Sequence, residues 1–218
     1  MKLFIDTANL NEIEEASKWG FIKGVTTNPS LIAKEGLTQK DVITRIAKLI
    51  DGPISAEVTA NDAEGMIKQG QELHAICPKN IVIKLPMTLE GLKACQFLTS
   101  KGIRTNVTLC FSVNQALLAF ESNASFVSPF LGRLDDNGWD SNELVKEIMA
   151  VKKNYGYKSE VIMASIRSEQ HVKLCALEGA DIATVPYKVL VKLIQHPLTD
   201  SGLNQFALDA KKTADLKK

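Results

Sequence analysis

The chain has 218 residues, of which 45% are apolar and 23% charged, and its formal net charge is +1. This composition argues against a disordered chain and, with no basic excess, against a general nucleic-acid-binding protein. The longest uncharged run, residues 105–120, is interrupted by polar side chains and is shorter than the ~20 apolar residues that a membrane helix needs. With no secretory signal after Met1, we expect a cytoplasmic protein that does not bind a membrane.

Eight short runs rich in β-branched residues alternate with helical patterns along the chain. The predicted strands cover residues 3–6, 22–28, 54–59, 81–85, 104–109, 125–130, 160–165 and 181–185. Their starts lie 19 to 35 residues apart, so each interval has room for one helix and two short loops.

Capping residues mark the helices between these strands. Asn9 with Glu12 opens the first helix, and Gly20 follows its end. Further start and stop pairs predict helices between Thr38 and Gly52, Thr88 and Gly102, Asp140 and Gly156, and Ser168 and Gly179. After the last strand, apolar residues 189–194 and then residues 199–213 predict two more helices.

Strict alternation of strand and helix predicts a parallel sheet, either an open doubly wound sheet or a closed barrel. Eight repeats in about 200 residues are the size of a compact (β/α)8 barrel. No GxGxxG follows the first strand, which weakens a dinucleotide-binding open sheet. We therefore predict an α/β protein with one domain over residues 1–218, a (β/α)8 TIM barrel with an extra C-terminal helix.

The cysteines and histidines carry no recognisable site. The cysteines lack metal-ligand spacing and have apolar neighbours, which predicts small buried side chains and no metal site. They are Cys77, Cys95, Cys110 and Cys175. No nucleophile motif accompanies His74, His171 or His196, and we assign them no chemistry.

Polar side chains interrupt the predicted strands near their carboxyl ends, although parallel strands buried on both faces should be nearly continuous apolar runs. These residues are Asp6, Thr26, Asn28, Glu57, Thr59, Lys84, Asn106, Thr108, Ser128 and Ser165. Arg133 and Arg167 lie just beyond the sixth and seventh strands. In a barrel this rim holds the active site.

Lys84 is the most informative of these residues because it lies between apolar neighbours in a central strand. Burial disfavours a charged amine, and a neutral amine is a nucleophile towards carbonyls. The alternative is a structural lysine paired with Asp6 or Glu57. One lysine cannot fully satisfy two buried carboxylates, so the second favours proton transfer. Two arginines beyond adjacent strands are either solvated surface residues or a clamp for a phosphate.

Seven segments in chain order resemble the transaldolase family, in particular its short-chain branch, which includes the fructose-6-phosphate aldolases. They are FIDTA (4–8), GVTTNPSL (24–31), SAEV (55–58), IKLP (83–86), NVTL (106–109), SPFLGR (128–133) and ASIR (164–167). The resemblance covers nearly the whole chain, with one segment for each of the first seven strands.

The resemblance implies a class I Schiff-base barrel enzyme with no metal or organic cofactor. Lys84 resembles the Schiff-base lysine, Asp6 the acid and base at the carbinol, and Glu57 with Thr108 the pair that holds a catalytic water. The implied phosphate clamp is Arg133 with Arg167. The implied contacts to the remainder of the substrate are Thr26, Asn28, Asn106, Ser128, Phe130 and Ser165.

Four positions distinguish the two activities of this branch. By this resemblance, the aldolases have Gln where this chain has Glu57, and Tyr where it has Phe130. They also lack the amide of Asn106 and the hydroxyl of Ser128. Because phenylalanine cannot donate a proton to an enamine, the sequence favours transfer over release.

The implied activity is transfer of dihydroxyacetone from sedoheptulose 7-phosphate or fructose 6-phosphate to an aldose phosphate, in the non-oxidative pentose phosphate pathway. The alternatives are a fructose-6-phosphate aldolase, a catalytically silent sugar-phosphate-binding barrel, and a binding module in which Lys84 is structural. The resemblance also implies a homo-oligomer, a pentamer or decamer, with the C-terminal helix reaching a neighbouring subunit.

Overall fold

A computed structural model describes residues 1–215. In this part of the chain, parallel strands close into a barrel in which each strand lies beside the strands that precede and follow it in the sequence. The strands are β1 (Lys2–Asp6), β2 (Ile22–Thr26), β3 (Ile54–Glu57), β4 (Ile81–Pro86), β5 (Thr105–Cys110), β6 (Phe126–Pro129), β7 (Glu160–Met163) and β8 (Ile182–Val185). Pairing of β8 with β1, from Lys2 with Ile182 to Ile5 with Val185, closes the ring. The predicted (β/α)8 barrel is therefore confirmed, and an open sheet is excluded. Residues 216–218 of the predicted domain lie outside the described residues.

Helices occupy the outside of the barrel. They are α1 (Leu10–Ser17), α2 (Pro29–Lys34), α3 (Gln39–Leu49), α4 (Ala63–His74), α5 (Leu89–Ser100), α6 (Val113–Glu121), α7 (Leu131–Asp135), α8 (Ser141–Tyr155), α9 (Glu169–Leu177), α10 (Tyr187–Lys192) and α11 (Pro197–Asp215). None of those within residues 1–215 is long and apolar enough to cross a bilayer.

Most predicted helix starts are confirmed by capping hydrogen bonds. The side chain of Thr38 accepts from the Asp41 amide, that of Thr88 from Gly91 and that of Ser168 from His171. Two short helices, α2 and α7, were not predicted, and α11 extends two residues beyond each end of the predicted 199–213 helix.

The barrel interior is apolar in its lower layer, towards the amino ends of the strands, and polar in its upper layer, towards their carboxyl ends. The lower layer is a separate buried cluster of Phe4, Val82, Phe126, Ile162 and Ile182. Two residues further along the same strands, and therefore on the same inward face, are Asp6, Lys84, Ser128, Ala164 and Thr184. Gly24 makes room for the lower layer, because a Cβ there would lie 2.6 Å from the Phe4 ring. The apolar layer thus closes the barrel beneath the polar one.

Several strands end earlier in the structure than the sequence predicts. β2 ends at Thr26, and Asn28 instead caps α2 by accepting a hydrogen bond from the Leu31 amide at 2.9 Å. β3 ends at Glu57 rather than at Thr59. The chain leaves β6 after Pro129 and β7 after Met163, and beyond them only Phe130 and Ala164 form an isolated bridge. Ser165 cannot continue β7 because its φ is 56°.

Candidate active site

A cavity of about 660 Å³ opens at the carboxyl ends of the strands, where barrel active sites lie. Ten of the twelve predicted site residues line it: Asp6, Thr26, Asn28, Glu57, Lys84, Ser128, Phe130, Arg133, Ser165 and Arg167. Asn106 and Thr108 do not line it. An outer groove of similar volume, about 670 Å³ beside Trp139, contains none of the twelve. The chemistry-bearing side chains therefore converge on the barrel cavity.

Lys84 and Glu57 form an ion pair at the bottom of this cavity. The register pairs Glu57 of β3 directly with Lys84 of β4. The Lys84 Nζ donates to Glu57 Oε2 at 2.9 Å and to the Thr27 carbonyl at 3.2 Å, and the two charged side chains are only 7% and 14% exposed. The partner of Lys84 is thus Glu57, one of the two carboxylates that the sequence left open. A carboxylate at this distance can take a proton from the ammonium group.

Asp6 lies at the end of β1 and is linked to two threonines. Thr26 Oγ1 lies 2.7 Å from Asp6 Oδ1 and 2.6 Å from Thr184 Oγ1. Burial raises the pKa of Asp6, and this outweighs the hydrogen bond from Thr26 and the charge of Lys84, which lower it. A carboxyl group with a raised pKa is suited to accept and return a proton. Thr184 was not predicted, although it is the one polar residue within the β8 segment IATV.

Asn106 lies below the cavity and positions a residue that lines it. Ser128 Oγ donates to Asn106 Oδ1 at 2.7 Å, and Asn106 Nδ2 donates to Ser55 Oγ at 3.1 Å. These hydrogen bonds tie β3, β5 and β6 together, and Ser55 is a further buried polar residue that was not predicted. Thr108 is fully buried, and its hydroxyl has no hydrogen-bond partner within the described chain. Leaving such a group unpaired costs about 1–3 kcal/mol.

The backbone at the rim is held in unusual conformations. Leu109 and Ser165 both line the cavity with positive φ values of 63° and 56°. The register between β5 and β6 shifts beside Leu109, between Thr108 and Cys110. Left-handed conformations of non-glycine residues cost of order 1–3 kcal/mol and concentrate at functional sites. The cavity therefore has the local strain that is typical of an active site.

Three cationic side chains surround the cavity mouth. Arg133 of α7 places its guanidinium carbon 4.9 Å from the Phe130 ring centroid, and the Lys84 Nζ at the bottom of the cavity lies 5.9 Å from the same centroid. Arg167 forms an ion pair with Asp136 at 2.7 Å. Lys34 of α2 also lines the cavity and was not among the predicted site residues. The mouth is therefore suited to an anion.

The prediction of buried cysteines is confirmed at three positions and is wrong for Cys77. Cys95, Cys110 and Cys175 are buried, and Cys77 is partly exposed. Burial raises the pKa of Cys110 and of Cys175 to about 12, so both are thiols at neutral pH. Within residues 1–215, no group of three His, Cys, Asp or Glu side chains is arranged to hold a metal ion.

The fold and the cavity define a (β/α)8 protein whose ionisable side chains meet at the catalytic face of the barrel. The sequence model of the Transaldolase/Fructose-6-phosphate aldolase family matches residues 3–218, and the chain belongs to this family.

Similar proteins agree with this assignment. A probable transaldolase of Alkaliphilus metalliredigens is 58% identical over 96% of this chain and 97% of its own. One of Geobacter metallireducens is 57% identical over 97% and 99%, respectively. These relatives support an enzyme of the aldolase and transferase type. A solved thiamine phosphate pyrophosphorylase from Pyrococcus furiosus has a TM-score of 0.59 and 13% identity over 84% of this chain and 85% of its own, a likeness of fold alone.

Proposed function

We propose that this protein is a transaldolase that moves dihydroxyacetone between sugar phosphates through a Schiff base on Lys84. One observation carries the proposal: a buried lysine, 2.9 Å from a carboxylate, lies in a cavity that Arg133 and Arg167 also line. A sugar phosphate has a ketone for the amine and a phosphate for the arginines.

The first step is attack of Lys84 on the C2 ketone of a ketose phosphate. Glu57 takes a proton from the ammonium group, and the neutral amine adds to the carbonyl carbon. The carbinolamine then loses water and leaves an iminium ion. Glu57 protonates the departing hydroxyl group through a second water molecule, which it shares with Thr108. The buried and unpartnered hydroxyl of Thr108 supports this role.

Cleavage follows when Asp6 removes the proton of the C4 hydroxyl. The C3–C4 bond breaks, its electron pair flows into the iminium, and an enamine of dihydroxyacetone remains on Lys84. Asp6 later returns the proton when a second aldose adds in reverse. The raised pKa of Asp6 supports this double use, because the protonated form is accessible.

Substrate binding divides between the two ends of the sugar. Asn28, Ser128 and Ser165 offer hydrogen-bonding groups to the dihydroxyacetone end, with Asn106 holding Ser128 in place. Arg133 and Arg167 bind the phosphate. The donors are sedoheptulose 7-phosphate and fructose 6-phosphate, and the acceptors are the matching aldose phosphates.

Phe130 favours transfer over release of free dihydroxyacetone. Its ring lies near the Lys84 Nζ and offers no proton to the enamine carbon. Ionised Glu57 is likewise a poor proton donor. The enamine therefore persists until a second aldehyde arrives, whereas a fructose-6-phosphate aldolase protonates it.

Borohydride trapping tests the covalent step. Incubation with fructose 6-phosphate and borohydride should attach a reduced dihydroxyacetone unit to the protein, as read by mass spectrometry with peptide mapping. Lys84→Met should carry no adduct. Lys34→Met is the matched control, since Lys34 lines the same cavity and should be dispensable for the adduct. An adduct that survives Lys84→Met would remove Lys84 from this role.

We further propose a cytoplasmic homo-oligomer in which α11 packs on a neighbouring copy. Leu203, Phe206 and Leu208 on α11 are 61%, 72% and 54% exposed. Apolar side chains exposed on one helix favour an interface. Light scattering should give a mass of five or ten chains, and Phe206→Glu should lower it. A monomeric parent would contradict this proposal.

A further inference from the structure

We propose that His171 is a positioning residue that holds the two arginines of the phosphate site at a fixed separation. The inference rests on the proposed function, because it assumes that Arg133 and Arg167 bind one phosphate. His171 does not line the cavity, so it cannot act on the substrate directly.

The two arginines are carried by different segments of the chain. Arg133 is on α7, and Arg167 is in the loop between β7 and α9. His171 on α9 contacts both segments. Its Nδ1 accepts a hydrogen bond from the Arg167 backbone N–H at 3.2 Å, and its Nε2 lies 2.9 Å from Asp135 Oδ2 at the end of α7.

These two contacts specify one tautomer of the imidazole ring. Nδ1 must be unprotonated to accept from the Arg167 amide, so the ring proton is on Nε2 and is donated to Asp135. Asp135 is itself held, since its Oδ1 accepts from the Ser141 amide at 3.2 Å. The ring is thus a bridge that accepts on one side and donates on the other.

The bridge secures the carboxyl end of α7, where the backbone hydrogen bonds are local, such as that from the Asp136 amide to the Gly132 carbonyl at 2.9 Å. At the start of this helix, the Leu131 and Gly132 amides donate to the carbonyls of Ala164 and Ser165 at 3.0 and 2.9 Å. Gly132 also allows close approach, because a Cβ there would lie 2.4 Å from Arg167 Cγ. Five residues are too few for a stable isolated helix. Beyond these backbone contacts, α7 depends on side chains such as His171 to stay in place.

The side-chain ion pair between Arg167 and Asp136 does not replace this bridge. Both side chains are more than half exposed, and exposed pairs are weak. A phosphate that binds Arg167 also competes with Asp136 for the same guanidinium. By contrast, the His171 side chain is only 16% exposed and uses no atom that the phosphate needs. It can hold both segments in the free and the bound protein.

Three substitutions separate the two hydrogen bonds of the bridge. His171→Asn keeps an acceptor near Nδ1, His171→Gln keeps a donor near Nε2, and His171→Phe removes both. His196→Phe is the control, since His196 also accepts a backbone N–H on Nδ1, from Leu198 at 3.1 Å, but its hydrogen bonds are to residues 198–200 rather than to the segments that carry the two arginines.

The first measurement is calorimetric binding of inorganic phosphate. His171→Phe should bind roughly 10- to 100-fold more weakly than the parent, because a small displacement of one arginine spoils a two-point clamp. His171→Asn and His171→Gln should fall between the two. The same order should appear in the fructose 6-phosphate concentration that half-saturates borohydride trapping. Trapping with unphosphorylated dihydroxyacetone should not change, which a general loss of structure would not permit.

Equal phosphate binding by His171→Phe and the parent would overturn the inference. If His171→Phe does not fold, unchanged phosphate binding in both His171→Asn and His171→Gln would overturn it equally. Failure of the proposed function looks different: the parent would give no trapped adduct, while phosphate binding and its loss in His171→Phe would still be measured.

Discussion

Replacing Lys84 by methionine tests whether the barrel interior depends on a buried ion pair. The side chains of Lys84 and Glu57 are 7% and 14% exposed, so neither charge is well solvated. Removing one partner of a buried pair leaves the other charge uncompensated, which costs about 3–5 kcal/mol. We expect Lys84→Met to lower the free energy of unfolding in urea by this amount, with the barrel still folded as judged by circular dichroism.

The double variant Lys84→Met/Glu57→Gln separates two contributions to the lost stability. One is the loss of the ion pair itself, and the other is the cost of a buried Glu57 carboxylate without a partner. This variant removes both charges of the pair, so the part of the loss that came from the unpaired Glu57 carboxylate should return. Lys79→Met is the control, because its pair with Asp51 is 77% exposed on both sides and should matter little. If the single variant were as stable as the parent, or the double variant no better than the single one, the pair would not be buried and coupled as argued.

Three further changes probe the rest of the site. Arg133→Ala and Arg167→Ala should each weaken transition-state binding of phosphorylated substrates by about 1.5–3 kcal/mol, mainly through KM, and leave unphosphorylated sugars unaffected; equal losses would make the arginines structural. Burial raises the pKa of Asp6 in the folded protein above the value of 3.8 expected in the unfolded chain. The folded state therefore loses stability as the pH rises through the range between these two pKa values. Asp6→Asn should therefore be inactive but more stable than the parent at neutral pH in urea unfolding, with no gain below that range; a gain independent of pH would contradict this. Ser165→Gly should gain about 1 kcal/mol by relieving the positive φ, whereas Ser165→Ala should not, and equal melting temperatures would argue against strain.

The barrel was predictable because its signals are local and repeated. Each strand is a short apolar run, and capping residues such as Thr38 and Ser168 mark the helices between them. The rim was predictable because polar residues are out of place in parallel strands. Lys84 was recognisable on this ground alone, since its neighbours Ile83 and Leu85 are apolar.

Partners and strand ends were less predictable because they depend on tertiary contacts. The choice of Glu57 over Asp6 as the partner of Lys84 follows from the register of β3 on β4. Ser165 looks like a strand residue until its φ is known. The contact of His171 with Asp135 joins residues 36 positions apart, with α8 and β7 between them, and no local pattern signals it.

Phe130→Tyr changes the group that we hold responsible for transfer rather than release. A tyrosine hydroxyl would place a proton donor near the enamine, and general acid catalysis typically accelerates the assisted step by about 10²–10⁴-fold. Phe130→Leu is the control, because it changes the ring without adding a donor. We expect the tyrosine variant, and not the leucine variant, to release dihydroxyacetone.

The most direct test of the account is the partition of dihydroxyacetone in the parent protein. With fructose 6-phosphate and erythrose 4-phosphate, the rates of sedoheptulose 7-phosphate formation and of free dihydroxyacetone release can be measured in one mixture. The buried Lys84 lies near the ring of Phe130, which has no acidic proton to donate, and this predicts that transfer is much faster than release. If the parent frees dihydroxyacetone as fast as it transfers it, the protein is an aldolase and the role given to Phe130 is wrong.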